Sequence, residues 1–182
     1  MNDARFERAS LFYGWKTMQR LWAPWRSDYV GGQRKDACFL CEAANSESPE
    51  ESLLVHASSS IIVVMNRFPY NAGHLLVAPR QHVAAIGDLS PACMAEMMTV
   101  ISDCVGVLTR ILRPDGFNVG ANLGSAAGAG VPDHLHMHVV PRWHGDTNFM
   151  ATLDDVRVMS SSLQAMYDDI SQSFRPNQGH RE

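Results

Sequence analysis

With 182 residues, 46% hydrophobic and 19% charged, the chain is sized for one domain with appendages and has enough apolar side chains for a real core. A net charge of −4 and a pI near 6.0 argue against holding duplex nucleic acid by bulk phosphate neutralisation, while a small phosphorylated ligand needs only a local site. No apolar run approaches the ~20 residues of a bilayer span, and Met1 to Arg20 lacks the apolar centre of a secretory signal, so the expected location is the cytoplasm.

In chain order, Asn2 to Met18 reads as a helix weakened by Gly14, and Leu21 to Tyr29 as an extended, aromatic-rich arm around Pro24. Cys38-Phe39-Leu40-Cys41 follows, then an acidic, serine-rich loop from Glu42 to Ser52. Leu53-Leu54-Val55 is a short strand, and the continuous apolar run Ile61 to Asn66 is a buried one. Pro69, Asn71 and Gly73 are turn residues that join it in a hairpin to a strand from His74 to Pro79. Ser90 caps a long helix with Pro91 at its first position. Its apolar face is Met94, Met97, Met98, Ile101, Val105, Leu108 and Leu112, and it ends before Pro114. Cys93 and Cys104 on this helix are small core or boundary residues. Gly116 to Asn122 is another strand and Leu123 to Gly130 a loop of small residues. Leu153 to Phe174 reads as a final helix with a polar tail after it. Hairpins, one long helix and two further strands make an α+β domain with a mainly antiparallel sheet. The divisions fall at 1–35 for the N-terminal helix and arm, 36–150 for the central domain, and 151–182 for the C-terminal helix and tail.

His134-Leu135-His136-Met137-His138-Val139 alternates polar and apolar side chains, the pattern of a half-buried strand. Three imidazoles then share one face, about 6.6 Å apart, while Leu135, Met137 and Val139 face the core. All three cannot ligate one metal ion, because they span about 13 Å and zinc ligands sit ~2.1 Å from the ion. The spacing instead favours a nucleophilic imidazole on phosphorus between two helpers, with at most one end histidine drawn to a metal. The small-residue loop just upstream suits backbone N–H groups approaching an anion. By spacing alone, Cys38-x-x-Cys41 is either half of a tetrahedral zinc site or a redox pair. His56, assigned to a loop, and His74, on the hairpin, are read as structural or exposed.

His134-Leu135-His136-Met137-His138-Val139-Val140 resembles the signature of the histidine triad superfamily of nucleotidyl hydrolases and transferases. Asn66, Gly73-His74, Pro79 and His82 resemble the family's central hairpin, and the Leu21-to-Arg26 arm, the Asn122-to-Gly128 loop and the Pro141-to-Phe149 ending resemble its bacterial branch, which is similar to diadenosine tetraphosphate phosphorylases. The resemblance implies a five-stranded antiparallel sheet with one long helix, paired into a homodimer with a continuous sheet. It also implies cleavage of dinucleoside polyphosphates through a nucleotidyl adduct on His136, resolved by phosphate or water. His138 serves the phosphate. Asn66 takes the ribose, the residues around Ile62 to Met65 border the base, and Asn122, Ser125, Gly128 and His144 are candidate phosphate contacts. By the same resemblance a structural zinc joins Cys38, Cys41, His82 and His134. Where many relatives carry glutamine or serine before the triad, this chain has Gly130-Val131-Pro132-Asp133. A nucleotide-sensing module with little turnover and a nucleoside phosphoramidate hydrolase are the alternative readings. No nucleic acid or membrane partner is expected.

Overall fold

A computed structural model describes residues 37–146 and 162–174. The expected N-terminal helix and aromatic arm, residues 147–161 and the polar tail lie outside them.

The elements run α1 (Phe39–Ala44), β1 (Leu54–Ala57), β2 (Ile61–Met65), β3 (Leu75–Pro79), α2 (Pro91–Leu112), β4 (Gly116–Gly120), β5 (Met137–Arg142) and α3 (Leu163–Phe174). The strands form one antiparallel five-stranded sheet in the order β1-β2-β3-β5-β4. As the apolar runs require, β2 and β3 are buried along their whole length. Burial on both faces explains why neither strand alternates.

Helix α2 begins as its sequence dictates. Ser90 accepts the Cys93 N–H at 3.2 Å and Pro91 needs no partner for the donor it lacks. It ends at Arg113 in the left-handed conformation (φ 47°) before Pro114. The buried face is Met97, Val100, Ile101, Cys104, Val107 and Leu108. Met98, expected there, is 59% exposed. Position 98 lies about 100° around the helix from 97, and the series 97-100-101-104-108 meets the sheet instead. The composition of α2 would permit a membrane span, yet this face packs on β2, β3 and β5. Helix α3 buries Met166, Tyr167 and Ile170 against β1 and α2, and Tyr167 donates to the Leu54 carbonyl at 3.2 Å.

The sequence places a strand from His134, whereas the ladder starts at Met137. Pairing of β3 with β5 stops at Val77↔Met137, and the Leu135 N–H turns to the Val83 carbonyl at 2.6 Å. Leu135 and Val139 are 3% and 0% exposed and Met137 packs against the core, as the alternation predicts, but His134 and His136 are buried as well.

Candidate active site

The three triad histidines are distinguished by what each ring nitrogen faces. His134, fully buried, points Nε2 at the Pro79 carbonyl at 2.8 Å. A carbonyl only accepts, so that nitrogen carries the proton and Nδ1 keeps its lone pair. Burial in the first place, and then the neighbouring His82 and His136, push the His134 pKa down, which favours the neutral ligand form. His136 is the reverse: Nδ1 lies 2.8 Å from the His134 carbonyl and donates to it. The lone pair of His136 is therefore on Nε2.

His138 takes its tautomer from His74. The Tyr70 backbone N–H, which only donates, sits 3.1 Å from His74 Nδ1. The Asn66 side-chain amide nitrogen is 3.2 Å from the same atom, an orientation fixed because Asn66 Oδ1 accepts the Phe68 N–H at 2.9 Å. His74 Nδ1 thus accepts, and its proton is on Nε2. That group lies 2.9 Å from His138 Nδ1 and donates to it. His138 is left with its N–H on Nε2, a donor for an anion. Tyr70 stacks on His74 with centroids 4.9 Å apart.

Of the two readings the sequence allows for His74, structural or exposed, the structure shows the first: it is fully buried, with Nε2 2.9 Å from Nδ1 of His138. A histidine heading a wholly buried strand was the available signal, since a buried polar ring needs partners. His56 is on β1 rather than a loop, stacked on Phe174 at 5.2 Å.

Cys38, Cys41, His82 and His134 converge, with ligand atoms all within 4.8 Å of one another. Cys38 Sγ and Cys41 Sγ lie 3.2 and 3.5 Å from His134 Nδ1, and Cys41 Sγ lies 3.2 Å from His82 Nδ1. A tetrahedral zinc with Zn–N near 2.1 Å and Zn–S near 2.3 Å needs edges of about 3.4–3.8 Å. The three Sγ–Nδ1 distances lie within a few tenths of an ångström of these edges, and the widest separation, 4.8 Å, must close by about 1 Å for the donor set to hold zinc. Burial, followed by the Cys38 thiol, raises the Cys41 pKa, so a metal must displace its proton.

The register Gly120↔His138 places the start of the Asn122–Gly130 loop beside the His138 end of β5. Ser125–Ala127 forms a short 3-10 turn there. The N–H groups of Ala127, Gly128 and Ala129 return to the Gly124 and Ser125 carbonyls, so the second half of the loop closes on itself. Gly128 contributes its φ of 81° rather than an outward donor. His144 is not brought to this cluster. Its ring pairs with Asp115 at 2.8 Å, beyond the Gly116↔Arg142 end of β4–β5. The side chains of Ile62 to Met65, expected to border a base, are buried in the core.

A HIT domain family model matches residues 47–145. The AP-4-A phosphorylase of Mycobacterium tuberculosis (strain H37Rv) is 37% identical over 159 residues, covering 81% of this chain and 80% of that protein. The asymmetrical bis(5'-nucleosyl)-tetraphosphatase of Schizosaccharomyces pombe is 29% identical, covering 56% and 55%. Among solved structures, a Zn-bound histidine triad family protein from Mycobacterium smegmatis superposes with a TM-score of 0.61 at 23% identity, over 75% of this chain and 92% of that one. The chain belongs to the HIT domain family.

Proposed function

We propose that this protein cleaves dinucleoside polyphosphates by transferring a nucleotidyl group to His136 and then to phosphate or water. The observation that carries the reading is the pair of opposed tautomers: a lone pair on His136 Nε2 and an N–H on His138 Nε2. The two rings are neighbours, with centroids 5.1 Å apart at 74°.

His136 Nε2 attacks the α-phosphorus, forming an N–P bond as the bond to the bridging oxygen breaks. The attacking ring gains positive charge, and its Nδ1–H stays on the His134 carbonyl, which stabilises it. The departing nucleoside polyphosphate leaves as an anion, since a terminal phosphate has its last pKa at about 6. The Nε2–H of His138 donates to the non-bridging oxygens, where charge develops. Phosphate or water then attacks the adduct, breaks the N–P bond and returns the electron pair to Nε2, an attacking water giving up a proton to solvent. Asn122 and Ser125 are proposed phosphate contacts, with Gly128 shaping the loop, and Asn66 is a proposed ribose contact next to His74. His144 takes no part within a protomer.

Zinc is the proposed ion at Cys38, Cys41, His82 and His134, supported by the donor set and its spacing. Bound there, it is a structural tie between α1 and the triad segment. A homodimer extending the sheet through β4 is part of the same proposal: Val119 on β4 is 44% exposed and Met98 on α2 59%, while α3 packs against β1 at the other edge. The cytoplasm is the proposed location.

The 37% identity to an AP-4-A phosphorylase favours phosphate as the acceptor. Incubation with diadenosine tetraphosphate tests this. ATP with ADP, formed only when phosphate is present, is the expected result. ATP with AMP makes the enzyme a hydrolase, and the absence of any nucleotide product overturns the enzymatic reading.

A further inference from the structure

We propose that Asp146 is a positioning residue for this site, acting through Asn71 and the β2–β3 turn to hold His74 against His138. It rests on the reading of His138 as phosphate donor and adds a residue eight positions beyond it. The Asp146 carboxylate accepts from Arg142 Nε and Nη2 at 2.5 and 2.8 Å, from the Trp143 N–H at 3.3 Å and from the Asn71 amide at 2.8 Å. Arg142 above all, with the Trp143 and Asn71 donors, holds the Asp146 carboxyl well below the usual carboxylate range, so it is an anion at any working pH. Its side chain is 10% exposed.

Asn71 transmits this anchor. Its amide also donates to the Pro141 carbonyl at 3.0 Å, pinning the turn to the end of β5. Its own carbonyl accepts the His74 N–H at 3.2 Å. The neighbouring Tyr70 N–H fixes the tautomer of His74. Between them Gly73 has φ +76°, and a Cβ there would stand 2.5 Å from Leu112 Cδ1, 3.0 Å from Leu108 and 3.4 Å from Pro141. The turn therefore lies close against α2 and β5, and a side chain at position 73 would have to push into both. Arg142 also donates to Asn118 Oδ1 at 2.6 Å, a single contact to a neutral amide on β4.

The experiment compares Asp146→Asn and Asn118→Ala in the full chain by steady-state kinetics on diadenosine tetraphosphate and by the ring 15N shifts of the histidines. Both changes loosen the same guanidinium, so a merely structural role moves them alike. A positioning role lowers kcat about tenfold in Asp146→Asn with KM within about twofold, and mixes the two tautomers of His138; Asn118→Ala keeps kcat within about twofold. An Asp146→Asn protein that unfolds cooperatively like the wild type but has its kcat and its His138 shifts overturns the proposal. If Asp146→Asn does not fold, Asn71→Ala is read by the same two criteria. Absence of turnover in the wild type overturns the enzymatic reading alone, and the nitrogen shifts still decide whether Asp146 governs His138.

Discussion

The two ends of the triad are the same residue type on one short segment, yet they face opposite chemistries. His134 meets two thiols and the exposed ring of His82, with its remaining nitrogen on a carbonyl. His138 meets the buried ring of His74, oriented by Asn66 and a backbone N–H. One end presents a lone pair between two thiols; the other presents an N–H on Nε2. His136 borrows from the first end through the His134 carbonyl and works beside the second. Residue identity sets what an imidazole is able to do, and the partner at the second nitrogen selects which of those it does.

The comparison breaks most severely at its centre. His136→Ala removes the proposed nucleophile, and turnover of diadenosine tetraphosphate is expected to fall by at least about a thousandfold. Retained activity would mean that the adduct forms elsewhere or not at all. On the His138 side, His74→Ala leaves Nδ1 of His138 facing a cavity, releasing it to take either tautomer. The expected loss is about 10²- to 10³-fold in kcat, and unfolding by urea shows whether stability accounts for it. If kcat is unchanged, His74 is packing and no more.

The His134 side breaks more gently. Cys38→Ser removes one of the four proposed ligands, so zinc by metal analysis is expected to fall from near one per chain to a small fraction. The domain keeps its sheet and helix core, so the cost is the lost ligand linkage, about 2–4 kcal/mol, rather than collapse. Activity drops about ten- to a hundredfold, because the His134 carbonyl that holds His136 is attached to the freed residue. Equal metal content in Cys38→Ser and the wild type would remove the zinc assignment.

How much of this was legible in the residues follows from the range of each interaction. Helix α2 is local, and Ser90, Pro91 and Pro114 mark both its ends. The β2 and β3 runs announce burial by continuity. Alternation from His134 to Val139 gave the correct core face, although the ladder starts three residues later at Val77↔Met137, because the Leu135 N–H turns to the Val83 carbonyl and the His134 ring takes the Pro79 carbonyl. Period two put three rings on one face but carries no information about tautomers. Those depend on Pro79, His74 and Tyr70, 55 or more positions away in sequence. The choice of Met98 over Val100 on α2 failed for a similar reason: seven apolar residues fit more than one stripe, and the sheet decides among them. His144 was drawn in by its closeness to the triad in sequence, whereas four residues of strand carry it to the far end of the sheet.

Acid separates the two ends by the smallest effect. A thiol–imidazole site binds metal only as its ligands lose protons, so occupancy falls as pH drops from about 6 to 4. The latch below His74 behaves otherwise. The carboxyl of Asp146 has a native pKa below its ordinary value of 3.8, so the native state binds that proton more weakly than the unfolded chain. Its contribution is then complete above the ordinary value and is lost only as pH falls through the lower native one. The stability difference between wild type and Asp146→Asn, on the order of 1 kcal/mol given the exposure of Arg142, stays constant from neutral pH to about 5 and shrinks only below that. Urea unfolding at stepped pH, with metal content measured alongside, should show zinc leaving while the Asp146 difference is intact. A difference that fades together with the zinc would mean that the two ends of the triad are one cooperative unit rather than two independently held imidazoles.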